Sequence, residues 1–251
     1  MQLKDEAIIL RKKRYSESSL IVTAYTLGSG KIDFIAKGAL RAKSKMSSAL
    51  MPMTYVNLVY YPKKSGLSLL SEADIARPFY NISASLEHTT VGLLILESLD
   101  LKSSESEADQ RLFAMTLSSI ELLDQHSPNP KNLFLLYQFH LATLLGFKID
   151  LKHTPIADEE SNTEYLTLYF SEGRTMHYGK SQIANCHTFS AFVFGKFKEI
   201  VSAGFDNFHK IEISPSVFNE LTRFFISYFS FHLEKKVHYN SLTLLASSDG
   251  I

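Results

Sequence analysis

The sequence predicts an α+β protein in which a small β-barrel is followed by an α-helical region. The spacing of apolar residues changes near Arg77-Pro78, from the alternation typical of strands to the repeat of amphipathic helices. The charge changes at the same place. Residues 1–80 contain 13 Lys and Arg against 6 Asp and Glu, a net of +7, whereas residues 81–251 carry −7. We therefore predict two domains, 1–80 and 81–251, the first facing a polyanion.

Five short segments of the first domain have the composition of β-strands. They are rich in Val, Ile, Leu, Thr and Tyr, and turn signals such as Gly28-Ser29-Gly30 separate them. The predicted strands are Ala7–Leu10, Leu20–Thr26, Lys31–Lys37, Met53–Tyr61 and Leu67–Ser71. Five strands in so short a stretch fit the OB-fold, a five-stranded barrel that often binds oligonucleotides.

A basic segment, Lys37–Met46, lies between the third and fourth predicted strands. It contains four cations and no acid: Lys37, Arg41, Lys43 and Lys45. Such a run is often only a solvated loop. On a nucleic-acid-binding barrel, the same cations would neutralise phosphates and release condensed counterions. A second group of cations, Arg11–Arg14, is expected to follow the first strand, and Lys63 and Lys64 mark a turn.

Five tyrosines of this domain leave two interpretations open. They are Tyr15, Tyr25, Tyr55, Tyr60 and Tyr61. Tyrosine is a favoured strand residue that often packs in a core, but its ring can also stack on a nucleic-acid base.

Three blocks of this domain resemble a known family in both order and spacing. The blocks are Glu6–Thr23, Gly30-Lys31 and Lys37–Lys45, and they resemble the N-terminal domain of the RecO family of bacterial recombination mediators. The resemblance implies that this domain binds single- and double-stranded DNA. The candidate DNA contacts are Arg11, Lys13, Arg14, Lys31, Lys37, Arg41, Lys43 and Lys45.

The second domain has the apolar periodicity of a helical bundle. The predicted helices are Ser83–Leu101, Glu107–Asp124, one that Asn129 caps and Gly146 ends, Thr188–Ala203 and Ser214–Lys236. Within them, Phe139–Leu151 resembles the leucine-rich helix end of the same family. Tyr228–Leu233 and Ser241–Leu245 resemble its last helix and tail.

A small strand-and-turn insert, about residues 152–187, departs from much of the family. We predict a strand at Tyr165–Phe170 and a turn at Glu172-Gly173, after the acidic Asp158–Glu160. Many members have two Cys-x-x-Cys pairs here that bind zinc. This chain offers only Cys186 with His153, His177 and His187, too few thiols for such a site. We therefore expect no metal, and the single cysteine excludes an intrachain disulfide.

No pattern in the chain predicts an enzyme, a cofactor or catalytic residues. The motifs His-Glu-x-x-His, Gly-x-Ser-x-Gly and Ser-x-x-Lys are absent, and the spacing from Gly173 to Gly179-Lys180-Ser181 is one residue too long for a phosphate-binding loop. His140 and His232 lie in apolar helices and are expected to be packed and hydrogen-bonded. With neither a membrane-spanning apolar run nor a signal peptide, we expect a cytoplasmic protein that makes no membrane contact.

Two phenylalanine-rich segments of the helical domain also leave two interpretations open. Phe189–Phe197 and Phe218–Phe231 could form the core, or a groove for a partner's apolar peptide. The resemblance implies binding of the acidic, Phe-ending tail of single-strand-binding protein. The candidate cations for its carboxylates are Arg223, Lys235 and Lys236.

The expected function is therefore that of a DNA-binding recombination mediator. By resemblance, it promotes strand annealing and, with RecR, helps to load RecA onto strands coated by single-strand-binding protein, associating with the nucleoid during repair. Two alternatives remain open. One is an RNA-binding OB-fold protein, since phosphate contacts alone separate RNA from DNA poorly. The other is a scaffold whose basic face meets an acidic protein rather than a nucleic acid.

Overall fold

The computed structural model describes residues 1–101, 108–152, 164–179 and 184–246. Its contacts divide the chain into two compact units. The first unit contains Met1–Ser127 together with the segment that begins at Ser241, and the second contains Pro128–Asn240. The predicted domains, 1–80 and 81–251, stay a prediction.

The first unit contains a closed β-barrel of five strands. The strands are β1 (Leu3–Arg14), β2 (Leu20–Thr26), β3 (Gly30–Ala36), β4 (Tyr55–Tyr61) and β5 (Ser68–Arg77). They close in the order β1-β2-β3-β5-β4, with β3 and β5 parallel and every other neighbouring pair antiparallel. A short helix, α1 (Met46–Ala49), lies between β3 and β4. The predicted class, an OB-type barrel followed by helices, is confirmed.

Strand β1 is longer than predicted and includes the cations that we expected to follow it. Lys13 pairs with Ile21 and Arg14 with Leu20, after a bulge between Ile9 and Arg11. The apolar run ends at Leu10, but the hydrogen-bonded ladder to β2 continues beyond it. Charged side chains are compatible with these strand positions because they lie on an outer face, in contact with water. The end of the apolar pattern was therefore not the end of the strand.

Three helices complete the first unit. They are α2 (Leu86–Leu99), α3 (Gln110–Asp124) and α7 (Leu242–Ala246). The N-cap Ser85 Oγ accepts a hydrogen bond from the His88 amide at 3.3 Å, and the Asp109 carboxylate accepts from two amides at the start of α3. Both helices predicted in this region are present, and they start where these side chains satisfy their first free N–H groups.

The second unit packs three helices against a three-stranded sheet of order β7-β6-β8. The helices are α4 (Pro130–Leu144), α5 (Ala191–Asn207) and α6 (Pro215–His232), and the strands are β6 (Tyr165–Tyr169), β7 (Arg174–Tyr178) and β8 (Cys186–Ser190). Phe197, Phe224 and Phe225 are fully buried, and Phe189 meets Phe224 edge-on with ring centroids 5.0 Å apart. The phenylalanine-rich segments thus supply the core of this unit, and the strand and turn predicted near residues 165–173 are present.

Several helix ends in this unit differ from the prediction. Asn129 precedes α4, but its side chain makes no cap; its Nδ2 donates to the His209 carbonyl at 2.7 Å instead. The helix predicted from Thr188 begins later, because Thr188–Ser190 belongs to β8 and Ser190 Oγ caps α5 through the Val193 amide. Helix α6 ends at His232 and not at Lys236.

Three histidines of the second unit are packed among aromatic rings. His232 Nε2 donates to the Phe170 carbonyl at 3.0 Å, and its ring stacks on Phe147. His140 stacks on Phe205, and burial lowers the pKa of both histidines. For His187, burial and then the positive charge of Arg223 lower the pKa to about 4.

The lowered pKa of His187 predicts acid sensitivity of the second unit. The unfolded chain takes up this proton near pH 6.5, whereas the folded chain resists it down to about pH 4. The free energy of unfolding should therefore fall as the pH drops across that window. Urea unfolding of wild type and His187→Gln at pH 7 and pH 4.5 measures this. We expect a smaller loss in the variant, and equal losses would contradict the assignment.

Gly173 is the glycine whose replacement should damage the second unit most directly. Its φ is +62°, and a Cβ there would lie 2.2 Å from the Lys148 carbonyl oxygen and 3.1 Å from Tyr228 Oη. We expect Gly173→Ala to cost about 3 kcal/mol of unfolding free energy, from strain and steric overlap together.

Gly146 provides the matched control. Its φ is also positive, +91°, but a Cβ there meets nothing within 4 Å. Gly146→Ala should cost only about 1–2 kcal/mol, the strain of a left-handed backbone. Urea unfolding of both variants gives the comparison, and equal losses would show that the contact with the Lys148 carbonyl is unimportant.

Candidate nucleic-acid interface

The basic segment forms an ordered, turn-rich connection between β3 and α1. Gly38, with φ +72°, reverses the chain, and the Arg41 amide donates to the Gly38 carbonyl at 3.1 Å. Ala39 is fully buried under the segment, whereas all four of its cations are exposed: Lys37, Arg41, Lys43 and Lys45. The backbone is therefore fixed by its own hydrogen bonds, and the cations face solvent.

The connection between β1 and β2 lies beside this segment. The Leu40 amide donates to the Ser18 carbonyl at 3.0 Å, and Arg14 donates to the carbonyls of Ser16 and Glu17. The end of β1 and the basic segment thus bring six exposed cations to one end of the barrel, which we call the cationic end: Lys13, Arg14, Lys37, Arg41, Lys43 and Lys45. Within the described ranges, no carboxylate lies within 4 Å of their charged nitrogens.

Two other candidate DNA contacts, Arg11 and Lys31, pair with Asp100. Lys31 Nζ lies 3.1 Å from the Asp100 carboxylate and donates to its carbonyl at 3.0 Å, and Arg11 forms an ion pair with the same carboxylate. Asp100 follows the last residue of α2, where a carboxylate meets the negative end of the helix dipole. The two cations offset that repulsion. The Lys31 side chain is only 14% exposed, so its main role is structural. The Arg11 side chain is 57% exposed to solvent.

The structure separates the five tyrosines into two groups. Tyr25 and Tyr60 are buried, the first accepting a hydrogen bond from the Asp109 amide at 3.2 Å. Tyr55 donates to the Glu6 carboxylate, and burial together with that bond raises its pKa to about 12. Tyr15 and Tyr61 remain 62% and 45% exposed, so they are the two that offer a ring to a ligand.

A different face of the barrel is acidic. The register pairs Asn57 with both Glu6 and Asp74, and Glu72 lies on the same outer face through its pairing with Val59. These residues line an open groove of about 500 Å³. The face formed by β1, β4 and β5 therefore repels a polyanion, which directs such a ligand toward the cationic end.

The connection between β4 and β5 supplies two cations that the candidate site lacked. Lys63 and Lys64 line a cleft of about 560 Å³ that also contains Lys31 and Tyr60. In the sequence, both lysines indicate only a turn. This connection is one of the loops with which OB-folds bind oligonucleotides, and that rule could have identified them.

The second unit contains a separate cationic cavity of about 390 Å³. Its apolar lining is Phe139, Ile149, Leu151 and Val201, and its charged lining is Lys148, Lys152, Lys198 and Asp150. Sequence reasoning missed this site because its lysines come from two distant stretches of chain, and none belongs to a basic run.

The three cations proposed for a partner peptide lie on α6 and on the chain that follows it. Arg223 lies within α6, nine residues before the helix ends at His232, whereas Lys235 and Lys236 follow that end. Nine residues of helix span roughly 14 Å, so Arg223 and the two lysines would contact different carboxylates of an acidic peptide. The assignment of these three residues stays a prediction.

In the described part of the chain, no three His, Cys, Asp or Glu side chains are placed to hold a metal ion. None of the helices found there combines the length and apolar character needed to cross a membrane. His153, Asp158–Glu160, Lys180 and Ser181, and the side chain of His177, lie outside the described residues.

Comparison with known proteins gives matches along nearly the whole chain. Two sequence profiles match, "Recombination protein O N terminal" over residues 1–79 and "Recombination protein O C terminal" over residues 83–241. Relatives named DNA repair protein RecO include one from Thermodesulfovibrio yellowstonii, 27% identical over 89% of this chain and 90% of the relative. One from Geobacter metallireducens is 31% identical over 76% and 75% of the two chains. One from Salinibacter ruber is 35% identical over 57% and 56%.

Proposed function

Because the chain belongs to the RecO family of DNA repair proteins, we propose that it is a recombination mediator that binds DNA through the cationic end. The observation that carries this proposal is the gathering of six exposed cations that no described carboxylate neutralises. Phosphates are common to single and double strands, so this surface binds both forms.

The proposed mechanism consists of binding without a covalent step. Two complementary strands repel each other through their phosphates, and cations held on one protein surface lower that repulsion, which promotes annealing. The acidic face of the barrel favours one orientation of the bound strand. In this proposal the protein then acts with RecR to place RecA on strands that single-strand-binding protein has coated.

We place the acidic tail of single-strand-binding protein in the cationic cavity of the second unit. Its apolar lining suits a terminal aromatic side chain, and three lysines surround one acid, Asp150, so the cavity attracts carboxylates. This assignment differs from the set Arg223, Lys235 and Lys236 predicted from the sequence, which is the alternative in the titration below.

Two other functions give different results in simple binding experiments. An RNA-binding protein would prefer RNA over DNA strands of matched sequence. A scaffold that meets an acidic protein would bind neither nucleic acid at moderate salt. Membership of a DNA repair family favours DNA over both alternatives.

The salt dependence of DNA binding tests the cationic end. The variant Arg41→Ala/Lys43→Ala/Lys45→Ala should bind single strands more weakly. The slope of log affinity against log salt should shrink by about 0.7 for each phosphate contact that is lost. Fluorescence anisotropy with oligo(dT) across a salt series measures both quantities.

A charge-matched control separates local contacts from overall charge. Lys131→Ala/Lys196→Ala/Lys210→Ala removes the same charge from the second unit, and it should leave the slope close to that of wild type. If both triple variants change the slope equally, the cationic end does not contact phosphates.

A peptide titration tests the cationic cavity. Lys148→Ala/Lys198→Ala should weaken binding of an acidic, Phe-ending peptide roughly tenfold or more, because charge-assisted hydrogen bonds are each worth about 1.5–3 kcal/mol. Arg223→Ala/Lys235→Ala should leave the affinity unchanged. The reverse result would move the peptide site to α6 and the chain that follows it.

A further inference from the structure

An acid ends helix α2 at a position that the helix itself disfavours. Asp100 is the C-cap residue of α2, and its amide donates to the Leu96 carbonyl at 3.0 Å. The free carbonyl groups at this end of a helix carry partial negative charge, so a cation is stabilising there and a carboxylate is not. A residue that breaks such a local rule needs a compensating interaction or a function.

Two cations of the barrel compensate for this carboxylate, although one would be enough. Lys31 of β3 lies 3.1 Å from the Asp100 carboxylate and donates to the Asp100 carbonyl at 3.0 Å. Lys31 therefore neutralises the acid and also satisfies a carbonyl at the end of the helix. Arg11 of β1 forms a second ion pair with the same carboxylate. Attachment of α2 to the barrel does not depend on this second pair.

The two cations differ in how firmly they are held. The Lys31 side chain is 14% exposed, whereas that of Arg11 is 57% exposed and that of Asp100 is 26% exposed. An ion pair in contact with water contributes little to stability, because water and salt screen its charges. Arg11 can therefore exchange Asp100 for another anion at small cost, while Lys31 stays in place.

Arg11 extends the cationic end along β1. It pairs with Thr23 of β2, and Lys13 pairs with Ile21. These two partners flank Val22, which points into the barrel core, so Arg11 and Lys13 both lie on the outer face. Two residues of strand separate them by about 7 Å. A phosphate chain that contacts Lys13 therefore passes within reach of Arg11.

A second acid near Arg11 is engaged elsewhere. Asp33 of β3 pairs with Thr23, the residue that also pairs with Arg11. The Asp33 carboxylate accepts a hydrogen bond from the Thr23 hydroxyl. Among the described residues it forms no ion pair. Asp100 is therefore the acid that controls Arg11.

We propose that Asp100 lowers the affinity for DNA, as an internal anion that occupies Arg11 until a DNA phosphate displaces it. This inference rests on the proposed DNA binding and adds its regulation. On binding, Arg11 moves to a phosphate while Lys31 keeps the end of α2 on the barrel. The freed carboxylate attracts a cation from solution, which offsets the counterion release expected for one phosphate contact. Asp100 thus limits both the affinity and its salt dependence.

The test compares Asp100→Asn, which removes the charge and keeps the shape of the side chain, with a matched control. Glu121→Gln removes the same charge from another helix of the first unit, where Glu121 pairs with Arg77 of β5. The Arg77 side chain is 53% exposed, much like that of Arg11, but it is not a candidate DNA contact. The variant Arg11→Gln/Asp100→Asn shows whether an effect acts through Arg11. Each protein is titrated with oligo(dT) across a salt series.

Asp100→Asn should bind oligo(dT) about two- to fivefold more tightly than wild type at low salt, the range expected for an exposed ion pair. Its slope of log affinity against log salt should become steeper by about 0.7, one further phosphate contact. Glu121→Gln and the charge-preserving Asp100→Glu should keep the wild-type slope, and Arg11→Gln/Asp100→Asn should lose the gain. A merely structural role of Asp100 would lower the free energy of unfolding in urea without changing the slope.

Hydrogen exchange gives a second test that needs no substitution. When Arg11 leaves Asp100, the last turn of α2 loses one of its two compensating charges. The amides of Leu96–Asp100 in wild type should therefore exchange faster in the presence of saturating oligo(dT). The amides in the last turn of α3 are the control, and their exchange should not change.

Three results would overturn the inference. The first is a wild-type slope for Asp100→Asn, and the second is a steeper slope that persists in Arg11→Gln/Asp100→Asn. The third is unchanged or slower exchange at the end of α2 in the DNA complex. If wild type still binds oligo(dT) through the cationic end in these cases, the proposed DNA binding survives. Absence of binding by wild type would instead reject both proposals.

Discussion

Closure of the barrel is the constraint on which the rest of this structure depends. The parallel pairing of β3 with β5 joins two strands that are far apart in sequence, and together with the four antiparallel ladders it fixes which side of each strand faces inward. Val22, Phe34 and Leu70 fill the interior as a consequence. The same ladders pair Leu20 with both Arg14 and Ala36, which sets the end of β1 beside the start of the basic segment. One set of hydrogen bonds therefore builds the core and arranges the surface that we assign to DNA.

The charged side chains are divided between different parts of the outer surface of this closed barrel. The acids of β1, β4 and β5 share one face, while the cations collect in the connections at the cationic end. Asp100 keeps Lys31 within the fold. The net charge of the whole chain is zero, yet the barrel offers a polyanion a favourable approach at the cationic end. This separation of acidic and basic surfaces favours one orientation of the bound ligand more than it raises the binding affinity.

Much of the fold could be predicted, because strands and helices leave local periodic signals. All five barrel strands, the main helices and the family resemblance were recognised from short segments, and the comparisons confirm the family. The errors fell at element ends. Arg11–Arg14 belong to β1 because of a ladder to β2, and Ser190 starts α5 through a side-chain cap. Both depend on partners that an apolar pattern does not reveal.

The candidate sites were harder to predict from the sequence than the fold was. The four cations of Lys37–Met46 form a local run and were found, but their proximity to Lys13 and Arg14 depends on the pairing of both β1 and β3 with β2. The cationic cavity likewise combines Lys148 with Lys198 from separate stretches. In the sequence, nothing distinguishes Lys31 from the other cations. Only its contact with Asp100 in the structure separates it from the exposed cations.

Protection of lysines by bound DNA tests the central claim most directly. Wild-type protein is treated with an amine-reactive reagent with and without saturating oligo(dT), and the reaction of each lysine is measured by mass spectrometry. The account predicts strong protection of Lys13, Lys37, Lys43 and Lys45, with little change at Lys4 on the acidic face or at Lys210 in the second unit. Protection of Lys4 and Lys210 equal to that of the cationic end would contradict it.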